Sequence, residues 1–155
     1  MQTQAHEYFE IHVIPNLDAW MNQPTDIRLA MNAVVVLYHM ADHFWHAYSS
    51  SDPSRVFGTT KSSSFRSKLA KQDNHYKVLR DVAEAHKHME LDRPSRVLTQ
   101  ANQTKVGATG WGEGGFGTGP FGGGPSIVIE LNDGSKHHLS YLAQKVKELW
   151  LSKLT

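Results

Sequence analysis

A chain of 155 residues with 39% apolar and 20% charged residues and a net charge of +1 has the make-up of one globular domain, not of a disordered segment. The absence of cysteine excludes disulfides, thiolate catalysis and Cys-ligated zinc or iron–sulfur centres. The longest apolar run, Ala33 to Tyr38, is far shorter than the roughly 20 residues of a spanning helix, and Met1 to Glu7 has neither a basic nor an apolar leader region, so no membrane and a cytoplasmic location are expected.

Residues 3–22 carry Ala5, Phe9 and Val13 on one stripe and predict a helix, with Pro15 kinking or restarting it. Gln23-Pro24-Thr25 breaks the chain, and Thr25 is the expected N-cap of the longest periodic segment, residues 26–48. The stretch from Ser49 to Ser64, with seven serines, Pro53 and Gly58, reads as a loop. Helices are predicted over about 63–72 and 74–91, the second ended by Asp92-Arg93-Pro94.

Beyond that point the period changes from 3.6 to 2. Val97 to Val106 alternates loosely, Ile127 to Asn132 alternates cleanly, and Asp133-Gly134 predicts a type I′ hairpin into Ser135–His138. Ten of the twelve glycines fall between Gly107 and Gly124, with Trp111, Phe116 and Phe121 at five-residue steps. This loop has no Gly-Lys-Ser/Thr and is no P-loop; it reads as an insertion between paired strands, pinned by its aromatics to the body or to a partner. Residues 140–154 form an amphipathic helix with Leu142, Val146 and Leu149 on one stripe. The expectation is a single α+β domain: a helical bundle of about four helices (1–92), a β-hairpin region with its Gly-rich loop (93–139), and a C-terminal helix (140–155).

Ten histidines concentrate the chemistry. On a helix over 28–46, His39, Asp42, His43 and His46 fall within an arc of about 100°, at the i, i+3 and i+4 spacings of adjacent ligands. On 74–91, Asp81, Glu84 and His88 share a second polar sector, whereas His86 falls among Val78, Leu79, Val82 and Met89 on the apolar side. If the sectors faced each other, neutral imidazoles at His39, His43, His46 and His88 and carboxylates at Asp42 and Asp81 would suit a divalent Zn, Mn, Fe or Ni ion. Glu84 would then be the general base of a metal-dependent hydrolase. His6 with Glu10 is a weaker addition from the first helix; His75, His137 and His138 are expected to be structural.

Arg80-Asp81-Val82-Ala83-Glu84-Ala85-His86 resembles the signature of the HEPN-domain ribonucleases. That resemblance implies an all-helical bundle, RNA cleavage without metal, and an active site often formed across a homodimer. It carries over Arg80, Asp81 and His86, with Arg80 stabilising the phosphorane charge and His86 as acid or base. Tyr38 to Asp42 (Tyr-His-x-Ala-Asp) and Ala85 to His88 (Ala-x-Lys-His) together resemble segments of bacterial hypothetical proteins, many with a similar Gly-rich stretch, and imply no activity. Between Asp52 and Arg80 stand seven basic residues (Arg55, Lys61, Arg66, Lys68, Lys71, Lys77, Arg80) against two aspartates, a segment suited to RNA or another phosphate-bearing ligand. A third class is a non-enzymatic interaction module built on the Gly/aromatic loop.

Overall fold

The structure is a computed structural model, and it describes residues 1–92, 95–107 and 125–155. Ala5, Phe9, Val13, Leu17 and Trp20 recur every three or four residues, and all are buried. They lie on α1 (Gln4–Tyr8), a π-helical turn (Phe9–Val13) and α2 (Ile14–Asn22), which run on without interruption. Pro15, expected to kink or restart the helix, stands in the first turn of α2, directly after the π-helical turn. Its ring forbids a normal i→i−4 bond, and the wider turn just before it absorbs the misfit.

The longest helix is α3 (Ile27–Tyr48), as the periodicity predicts. Its cap is Asp26, one residue beyond the expected Thr25; the Asp26 carboxylate accepts the Leu29 N–H at 3.1 Å. The expected serine-rich loop follows, holding one 3₁₀ turn, Pro53–Val56. Arg55 from this turn lies 3.9 Å over the Tyr48 ring and donates to the Lys153 carbonyl, tying the loop to the C-terminus. Next come α4 (Ser62–Gln72) and α5 (Asn74–His88), the latter capped by Asp73 on the Tyr76 N–H at 2.8 Å.

The fifth helix ends three residues before the expected Leu91. Met89 takes a left-handed φ of 67°, and the chain turns back along α5. The returning strands of this excursion bond Leu91 N–H to Thr99 O (2.7 Å) and Ala101 N–H to Met89 O (3.0 Å). Of the expected 97–106 segment only residues 104–106 join the sheet, in a strand Thr104–Gly107. This β1 pairs antiparallel with β2 (Ser126–Glu130), which pairs antiparallel with β3 (Lys136–His138). The Gly-rich segment thus does connect two paired strands. Expectations about residues 108–124, including Trp111, Phe116 and Phe121, lie outside the described residues.

The β2–β3 turn differs from the expected type I′. Only Gly134 has a positive φ, 86°, so the loop is a three-residue turn with a left-handed glycine, braced by Asp133 accepting from Ser135 N–H. The last helix, α6 (Leu139–Leu154), buries Leu142, Ala143, Val146 and Trp150 against both sheet and bundle. At the centre Trp150 meets Phe44 and Tyr76 at ring distances of 5.8 and 6.0 Å. Its indole N–H donates to the Leu37 carbonyl at 3.0 Å. Burying side chains of this size is worth about 1.5–3 kcal/mol each. The fold is α+β, a helical bundle carrying a small antiparallel sheet.

Candidate anion-binding cleft

Asp81 anchors the most connected polar cluster. Its carboxylate is fully buried and accepts from Arg96 Nη1 (2.7 Å), Arg80 Nε (3.0 Å) and the Val97 N–H (2.9 Å). A carboxylate is stable in such a place only when paired and hydrogen-bonded. The guanidinium of Arg96 reaches on to Glu84 with Nη2 (2.7 Å), and Glu84 accepts from the Tyr38 hydroxyl (2.8 Å). The result is a continuous chain from α3 through α5 to the returning segment. Burial first, then the Glu84 bond and charge, push the Tyr38 phenol up to about 12, so it stays a donor. Beside it Arg66 of α4 pairs with Asp42 of α3.

The outer face of this cluster is a cleft of about 290 Å³ between α4, α5 and the returning segment. Ser67, Lys71, Lys77, Arg80, Ser95 and Arg96 line it. The side chains of Arg80 and Arg96 are only 13% and 7% exposed, so they form the wall, whereas Lys71 and Lys77 stand at the rim. Among the described residues neither lysine has a carboxylate within ion-pair distance. Ser95 holds a φ of 70°, an uncommon conformation for a non-glycine residue, and its place beside Arg96 keeps its side chain on the cleft. The chemistry on offer is concentrated positive charge with hydroxyl donors.

The predicted histidine sector of α3 lies elsewhere, against α1 and the π-helical turn. His43 stacks on Tyr8 with ring centres 3.7 Å apart, and Tyr8 also meets His12 at 4.9 Å. Burial lowers the His43 pKa; the Asp42 charge opposes this, and His39, His12 and His46 reinforce it. His39 and His46 are exposed, and Asp42 is turned to Arg66. The two sectors expected to face each other do not. Asp81 is enclosed by arginines, Glu84 is held by Tyr38 and Arg96, and His88 is exposed at the end of α5. Among the described residues no three His, Asp or Glu side chains converge as metal ligands.

The sequence reading put Asp81 on the open side because a helical wheel does not foresee the 89–100 excursion, which covers that side. It also put His86 in the core, yet His86 is exposed on the last turn, where packing against α5 has ended. Arg80 and His86, joined in the HEPN-like pattern, are six residues and hence roughly 120° apart around the helix. Two of the remaining histidines are held by hydrogen bonds within the fold. His6 Nδ1 accepts the Thr3 N–H (3.1 Å) while Nε2 meets the Leu154 carbonyl (2.9 Å). His138 is buried with Nδ1 at 2.9 Å from Ser126 Oγ. Sequence reasoning missed Arg96, Ser95, Ser67 and Tyr38 as cleft or network residues, and His12 beside His43. Arg96 carried no sequence signal, because the burial of Asp81 that calls for it is seen only in the fold.

No helix among the described residues is long and apolar enough to cross a membrane. No family model, curated protein or solved structure matches the chain.

Proposed function

We propose that the protein is a binding module for phosphate-bearing ligands, RNA among them, and that the cleft between α4 and α5 is the receptor. The observation that carries this is the gathering of Lys71, Lys77, Arg80 and Arg96 from three separate segments around one concavity, with Ser67 and Ser95 as further donors. Two of the cations are held in place by Asp81 before any ligand arrives, so little is spent on ordering them. Such a site attracts anions through charge and its binding weakens steeply with salt.

Fluorescence anisotropy with a labelled single-stranded RNA tests this. The expected result is saturable binding that Lys71→Ala and Lys77→Ala each weaken, each also lowering the salt slope by about 1. Binding unchanged in both variants would overturn the assignment of the cleft. RNA cleavage in the presence of chelator, lost in His86→Ala, would instead favour the HEPN-like ribonuclease reading.

The second reading, a divalent metal bound on the histidine face, is favoured by His12 and His43 both lying against the Tyr8 ring. Here His39 and His43, four residues apart, would be the ligand pair, with Asp42 reaching them only after leaving Arg66. Added zinc raising the melting temperature of the wild type but not of His39→Ala supports it; no shift in either rejects it.

A further inference from the structure

We infer that the cleft selects a dianionic phosphate group, a terminal phosphomonoester or pyrophosphate, over the monoanionic phosphodiester of a nucleic-acid backbone. The inference rests on the phosphate-binding reading above and narrows it. The first reason is charge. Four cations line the cleft, and the two carboxylates that touch them, Asp81 and Glu84, leave a net charge of +2 among the described residues. A phosphomonoester carries about −1.5 to −2 at pH 7 and has three terminal oxygens. A phosphodiester carries a single charge and two.

The second reason is shape. A space of about 290 Å³ is at the small end of ligand pockets. A chain end can enter it with one substituent, whereas an internal phosphodiester must bring in two. The third reason is the state of the wall. Both Nη atoms of Arg96 are engaged, one by Asp81 and one by Glu84, which fixes the guanidinium plane and leaves its Nε–H and one further N–H on each Nη as spare donors. Arg80 binds Asp81 through Nε and keeps its two Nη groups. With the rim lysines, the free donors converge on one small group. The described lining residues include no aromatic ring, and so offer no platform of their own on which a base would stack. Recognition therefore falls on the phosphate itself.

The test uses the full chain and two RNAs of identical short sequence, labelled at the 3′ end, one with a 5′ phosphate and one with a 5′ hydroxyl. Inorganic phosphate and pyrophosphate serve as competitors. The 5′-phosphorylated RNA should bind at least about tenfold more tightly at pH 7.5. Its advantage should shrink at pH 5.5, below the second phosphate pKa of about 6, and should vanish in Lys71→Ala and in Lys77→Ala, with circular dichroism confirming the fold. Pyrophosphate that binds and stabilises while neither RNA binds would also sustain the inference, and would identify a small phosphate ester as the source of the group. Equal affinity for the two RNAs, lost equally in the lysine variants, overturns the inference and leaves the phosphate-binding reading standing. Binding of none of the four probes overturns both.

Discussion

Asp81 shows how much one buried residue can decide. It accepts from two arginines and a backbone N–H, and so ties the returning segment to α5. Removing the carboxylate leaves the nearly buried Arg96 with Glu84 alone and the Val97 N–H without its acceptor, and breaking such a buried pair costs about 3–5 kcal/mol. Asp81→Ala should therefore lower the unfolding free energy measured in urea by that amount, and Lys71→Ala, at the rim, should leave it within about 0.5 kcal/mol. A wild-type midpoint in Asp81→Ala would show that the cluster does not hold the cleft together. His138 sets a pH dependence. Burial lowers its pKa below the ordinary 6.5, with His137 adding to the effect. Above 6.5 the imidazole is neutral folded or unfolded, so this contribution is flat. As pH falls below 6.5 the unfolded chain takes up the proton first, and stability is lost until the pH passes the folded pKa. Wild-type stability should therefore fall more steeply from pH 7 to 5 than that of His138→Gln. Parallel curves would exclude His138 as a source of the acid sensitivity.

Where the elements lie was legible in the sequence, and which of their faces are covered was not. The span of α3, the strand pairing around the Gly-rich segment and the existence of α5, expected over 74–91 and found at Asn74–His88, follow from periodicity and turn residues alone. What covers α5 does not, because α3, α4, α6 and the returning segment all pack on it. Its Asp81 sector looks polar on a wheel and is buried in the molecule, and its last turn looks apolar at His86 and is open. The cleft was legible only in part. Lys71, Lys77 and Arg80 stand out as a basic run, but Ser95 and Arg96 arrive through a chain reversal set by Met89. The C-terminal helix offers a test at this scale, since the predicted Leu149 stripe is shifted so that Trp150 is the fully buried residue. Trp150→Ala removes contacts with Phe44 and Tyr76 and should cost about 3–5 kcal/mol by chemical denaturation. Trp150→Phe keeps an aromatic ring there and should cost markedly less. Equal losses would mean that the indole bond to the Leu37 carbonyl, not packing, fastens α6 to α3.

Across the whole molecule the net charge of +1 hides an uneven field: the cleft alone concentrates +2, and the histidine face lies apart from it beside α1. That arrangement couples ligand binding to stability. The cleft is walled by α4, α5 and a segment whose hold on α5 is Arg96 with Asp81 and Glu84. An anion there bridges pieces that separate on unfolding, so it binds the folded chain alone. Ligand at 100 times its dissociation constant then stabilises by about 2.7 kcal/mol. For a domain of this size that raises the melting temperature by roughly 5–10 °C, from a sensitivity of about 2–4 °C per kcal/mol. A melt with pyrophosphate at low salt should show this rise, and added sodium chloride should erode it through screening. Lys71→Ala with Lys77→Ala should melt close to wild type without pyrophosphate and gain almost nothing with it. A double variant that is stabilised as fully as the wild type would place the anion elsewhere on the molecule, because those two ammonium groups are the cleft cations with no carboxylate within ion-pair distance among the described residues.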